Sequence, residues 1–185
     1  MMESVPETMP TLSAMTLRQP WAWAIAHAQC ALINQDWRPP PYVANQVIAI
    51  HASKRWTRTE QLEASALACQ LHPDVQVPLG SEDYALGHIV ALARVVGFVD
   101  VDVHPERGPY TFDTKTSKGY VCVGGRFSPS QVESVVQSQW FRGPCAWLLD
   151  DVRAVPTPVQ ARGFQKLWRV PGPQVLELAT QTSVY

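Results

Sequence analysis

His51, Ser53, Lys54 and Arg55 follow an apolar run at 46–52, and they are the residues of this chain whose types and spacing most readily suggest chemistry. An imidazole and an ammonium this close can act as base and acid toward a phosphodiester, which makes His51 and Lys54 the candidate catalytic pair. The plainer alternative is that Lys54 and Arg55 hold phosphate while His51 packs or hydrogen-bonds. Alternation along an extended run puts His51 and Ser53 on one face, as a polar pair lining a pocket, and leaves Lys54 at its rim. Trp21, Trp37 and Trp140 are candidate stacking surfaces, because a base stacked on an aromatic ring gains ~1–3 kcal/mol whatever the base. Trp147 and Trp168 sit inside apolar runs and read as core. Arg18 and Gln19 can donate to a phosphate or a base edge, or else brace the junction before the first helix. The candidate binding set is therefore Arg18, Gln19, Trp21, Trp37, His51, Ser53, Lys54, Arg55 and Trp140.

These residues need elements to hold them. Residues 14–17 form a short strand, and Pro20 suits the first turn of a helix that places Trp21, Ala24, Ile25 and Ala28 on one face. The prolines at 39–41 force 36–42 into a loop, where Trp37 is exposed, and 46–52 is a buried strand. Thr57 and Glu60 match a capping box and open a helix whose expected apolar positions are Leu62, Ala66 and Cys69, flanked by Leu67 and Leu71. Residues 85–103 read as one long strand that bends at Gly87 and Gly97, and 104–118 as a surface excursion. A strand at 120–123, a helix starting at 128–131, a strand at 145–152 and a last strand at 167–170 follow, with Pro156 and Pro158 confining their segment to a sheet edge. Residues 173–185 are a short helix or a frayed end. The sum is an α+β domain with a β-barrel core of five to six short curved strands and about three small helices. It spans 12–170, between a flexible tail at 1–11 and a C-terminal extension at 171–185.

Composition narrows the class. A chain of 185 residues with net charge -1 can bury one continuous core, and its overall charge says nothing about partners. Locally, 140–170 is rich in Arg and Lys while 81–102 is acidic, so one face is expected to be basic. Cys30, Cys69, Cys122 and Cys145 include no Cys-x-x-Cys pair, so neither a metal nor a cofactor is expected, and the thiols read as reduced and cytoplasmic. His27 and Cys30 could form a thiol nucleophile with its base, against the plainer structural cysteine. No apolar run approaches the ~20 residues of a membrane span.

Five segments, at 16–25 (TLRQPWAWAI), 50–54 (IHASK), 86–87 (LG), 140–150 (WFRGPCAWLLD) and 162–168 (RGFQKLW), together resemble the ASCH family of PUA-like β-barrels. That resemblance implies RNA binding, ribonuclease activity, or amide hydrolysis of acylated pyrimidine nucleosides by a Lys, a Thr and a Glu. The family signature, Gly-x-Lys-x-x-Glu-x-Arg or a variant with Gly-Lys adjacent and Glu-Asn-Arg following, falls on Gln29, Cys30, Ile33, Asn34 and Gln35. Only Asn34 agrees, while Trp37 matches the family's aromatic. With its Lys and Glu positions held by Cys30 and Ile33, the chain is expected to bind RNA, single-stranded nucleic acid or a modified nucleobase without turnover. The cleft would lie between the first helix, the 35–42 loop and the 51–55 strand end. The alternative is a ribonuclease or nucleoside amidohydrolase using His51 and Lys54.

Overall fold

The computed structural model describes residues 11–100, 120–121 and 134–182. The tail expected at 1–11 (save Thr11), the excursion at 104–118, the helix start at 128–131 and the strand end at 122–123 lie outside these residues. Among the described residues seven strands form one sheet: β1 (Ser13–Leu17), β2 (Leu32–Gln35), β3 (Val47–Ala52), β4 (His88–Asp100), β5 (Tyr120–Val121), β6 (Cys145–Gln160) and β7 (Leu167–Arg169). Their order is β2-β6-β4-β3-β1-β7, with β5 against β4. Helices α1 (Trp21–His27), α2 (Arg58–Gln70) and α3 (Gly172–Gln181) accompany them, and residues 134–136 are also helical. The fold is α+β, a curled half-barrel.

The long apolar run became one strand because both faces of the sheet are covered, a setting in which strands read as continuous apolar stretches. Gly87, at φ 76, turns the chain into β4, and Gly97 stands at one of the three places where the β4–β6 register slips. One core lies inside the curl and includes Met15, Ile33, Ile50, Trp147 and Phe98. The other lies on the opposite face, where Ala14, Ala49, Leu92, Val155 and Trp168 meet Val175 and Leu178 of α3.

Two expectations need correction, and one strand was not anticipated. Strand β6 runs to Gln160, well beyond Val152, because its second half pairs only with β4; Pro156 and Pro158 then interrupt no ladder on the open side. Strand β2 carries no strand signal of its own, yet it pairs with β6 from Leu32↔Leu148 to Gln35↔Cys145. On α2 the buried positions are Glu60, Ala64 and Leu67, while Leu62 and Cys69 face solvent. That stripe is helical in spacing but begins on a carboxylate, which hid it from an apolar count.

Topology gathers the functional candidates. Strands β1 and β3 are parallel, with Leu17 beside Ala52, so Arg18 and Ser53 emerge at the same end of the sheet and the Ser53 N–H donates to the Leu17 carbonyl at 2.8 Å. Strand β7 runs antiparallel to β1, which brings the 161–166 loop to that end as well. Among the described residues no helix is long and apolar enough to cross a membrane.

Candidate functional site

Two cavities flank the end of β1, and Thr16 lines both. The single cleft expected from the sequence is divided, and strand alternation is the reason. Along β1 and β3, Met15, Leu17, Ile50 and Ala52 point into the curl, whereas Thr16, His51 and Ser53 belong to the opposite face.

The inner cavity, about 520 Å³, is lined by Arg18, Trp21, Asn34, Gln35, Glu63 and Arg142, among others. Its polar groups are largely spent on one another. The Trp21 indole donates to Glu63 at 3.0 Å, and the Arg142 guanidinium lies over the Trp21 ring, 5.4 Å from its centroid. Arg18 pairs with Glu60 at 3.2 Å and Glu63 at 3.5 Å. Asn34 donates to the Trp140 carbonyl and accepts from the Arg142 N–H, so the residue that agrees with the family signature ties two segments together. Of the other signature positions, Gln29 is exposed, Ile33 is core, and Gln35 contacts the Met15 sulfur across the curl at 3.4 Å while accepting from the Trp37 indole. Burial pushes the Cys30 thiol up to about 11, against a contact to the Leu32 carbonyl and the distant Arg142 charge, so it is a protonated core group at neutral pH.

The stacking surfaces named from sequence are therefore largely occupied. Trp21 lies under Arg142, and Trp37 meets Trp147 edge to face at 4.7 Å and is half-buried rather than exposed. Trp140 packs against the inner core. Gln19 is 1% exposed and accepts from the Trp23 N–H in the first turn of α1, so it braces the junction rather than reaching solvent.

The outer cavity, about 660 Å³, collects His51, Ser53, Lys54, Arg55, Arg162 and Gln174, with Gly163 in its wall. It brings together the 51–55 candidates and adds three residues that sequence reading missed. His51 is 1% exposed, with Nε2 at 3.1 Å from the Ala161 carbonyl and its ring edge-on to Trp168 at 5.5 Å. A carbonyl only accepts, so the proton of the neutral ring sits on Nε2 and Nδ1 is an acceptor. Neither that Nδ1 nor the Gln174 Oε1 has a partner among the described residues. Burial holds the His51 pKa below its ordinary value, outweighing the Ala161 and Gly87 carbonyls that favour the imidazolium; the His88 and Lys54 charges push the same way as burial. A Cβ on Gly163 would stand 2.4 Å from His51 Cε1, so only glycine lets this loop close over the ring. Gly87 serves Lys54 in the same way, since its bare Cα leaves room for the lysine stem. The Ser53 hydroxyl accepts from the Arg55 N–H, fixing the turn that presents both cations.

The basic stretch at 140–170 does not form one face. Arg142 belongs to the inner cavity, Arg162 to the outer, and Arg153 is held in two hydrogen bonds by Asp151.

Glu60 stands between the two sites. Its carboxylate accepts from the Thr57 N–H and hydroxyl in the capping box, meets Arg18 at 3.2 Å, and lies 3.9 Å from Arg55. It is closed off by these polar partners rather than by apolar packing. Desolvation raises its pKa, but the Thr57 hydrogen bonds and Arg18 outweigh that and hold it below the ordinary 4.5. The unfolded chain therefore takes up this proton first, so the contribution is complete above the ordinary value and is lost as pH falls through the folded one. Glu60→Gln should flatten the acid-side fall in stability and cost ~1 kcal/mol at neutral pH, both read from urea titrations across pH 3–7.

No family model and no curated protein matches the chain. Among solved structures, a Tyr-to-Phe mutant of ASCH from Zymomonas mobilis is similar at 14% identity, with 92% of this chain and 98% of that one covered and a TM-score of 0.45. The chain is also similar to the crystal structure of ASCH from Zymomonas mobilis, at 15% identity over 91% of this chain and 93% of that one, with a TM-score of 0.44.

Proposed function

We propose that the protein binds RNA through the outer cavity, with Lys54, Arg55 and Arg162 holding backbone phosphate. One observation carries this reading: among the described residues, three cations line the cavity and no carboxylate does. Among the described residues neither Lys54 nor Arg162 is paired with an acid, whereas Arg18 of the inner cavity is held by Glu60 and Glu63. Unpaired cations in a polar concavity are what a phosphate backbone neutralises, and their released counterions drive association. The hydrolytic alternative draws less support. His51 is enclosed by Trp168 and Gly163, and an imidazole held this way cannot reach a substrate hydroxyl at hydrogen-bond distance without the loop moving aside.

Fluorescence anisotropy with a labelled eight-nucleotide RNA tests the proposal. Binding should weaken as salt rises, and Lys54→Ala and Arg162→Ala should each weaken it further and shallow the salt slope by roughly 0.7 for each phosphate that is no longer neutralised. Wild-type protein that leaves RNA unbound at low salt would refute the reading.

A further inference from the structure

Phe164 stands out on the loop that closes the outer cavity. It is 51% exposed, and it is flanked in sequence by Gly163 and, two residues back, by Arg162. Its position is nevertheless fixed. The edge of Trp168 supports it at 5.7 Å and 62°, Trp168 in turn donates to the Thr16 hydroxyl, and the Arg162 guanidinium lies 5.4 Å from the Phe164 centroid. An aromatic ring supported by Trp168, carrying the guanidinium of Arg162 and next in sequence to Gly163 in the wall of the cavity that holds Lys54 and Arg55, has the composition of a platform for an unpaired base whose phosphate is neutralised nearby.

Resting on the reading that RNA binds at the outer cavity, we infer that Phe164 is the base-stacking residue of the site and that the ligand is therefore single-stranded. In a duplex the base faces are already stacked on one another, so a duplex offers Phe164 only its backbone. Of the three tryptophans expected to stack, Trp37 and Trp140 pack against the core and Trp21 is half-buried under Arg142; Phe164 also carries a guanidinium, but it is 51% exposed and so keeps ring surface open to a base.

The test compares three eight-nucleotide ligands by anisotropy at low salt: a single strand, the same strand in a duplex, and a single strand with abasic sites. Wild type should favour the intact single strand over the other two. Phe164→Ala and Phe164→Leu should weaken that strand by roughly 5- to 150-fold, Phe164→Trp should retain its affinity, and on the abasic strand the variants should converge with wild type. Leucine separates stacking from simple burial. If wild type binds RNA but the alanine and leucine variants bind equally well, the stacking role is overturned and the RNA reading stands. An equal loss on intact and abasic strands also overturns it, because the damage is then to the loop. Failure of wild type to bind any RNA removes the RNA reading and this inference with it.

Discussion

Trp147→Ala should lower folding stability by about 3–5 kcal/mol, the range for removing a fully buried large aromatic. Trp147 is wholly buried and lies in register between Ile33 on β2 and Phe98 on β4. Its indole N–H donates to the Trp37 carbonyl at 2.9 Å, and its ring meets the Trp37 ring edge to face. Alanine would remove the packing of three strands and the tie that holds the 36–40 segment against them. For a chain of this size the thermal midpoint should fall by roughly 6–20 °C. Trp147→Phe keeps most of the ring and loses the hydrogen bond, so about 1–2 kcal/mol is expected from it. Circular dichroism melts and urea titrations measure both, and a loss under about 1 kcal/mol for the alanine variant would contradict a core role of this size.

Gly163→Ala should cost about 1–3 kcal/mol, the penalty of forcing one extra carbon into a packed site. The added carbon would stand 2.4 Å from His51 Cε1, 2.6 Å from Nδ1 and 2.7 Å from the Thr16 hydroxyl. None of these is the loose end of a flexible side chain: the imidazole is held by Ala161 and Trp168, and the hydroxyl accepts from the Trp168 indole. The strain has a signature beyond its size. If it arises against His51, then in a His51→Ala background the same substitution should cost markedly less, a coupling that a double-mutant cycle by urea titration reads directly. Additive costs would place the strain elsewhere.

Much of the scaffold was legible because it obeys local rules. Thr57 and Glu60 announced the start of α2 by a reciprocal pair of side-chain bonds, and Gly97 marked one of the three irregular points where β4 pairs with β6. Trp147 and Trp168, read as core from their apolar neighbours, are 0% and 8% exposed. Strand β2 was not legible, because Leu32–Gln35 is four residues long and owes its conformation to β6. The site was legible by residue but not by arrangement. The 51–55 group is together as expected, yet the tryptophans assigned to the same cleft lie on the other side of the sheet, and only the register of β1 on β3 decides that. Phe164 carries a fainter signal than the tryptophans: an aromatic outside any apolar run, two residues from an arginine and two from a lysine.

The carboxylate of Glu60 has a further consequence. It contacts Arg18 on the inner side and lies near Arg55 on the outer side, so the two cavities share one counter-charge. An anion that draws Arg55 away leaves Glu60 more fully to Arg18, and one that recruits Arg18 returns it to Arg55. Whatever effect occupancy of one cavity has on affinity at the other through this carboxylate, thermodynamic reciprocity requires the same factor in the reverse direction.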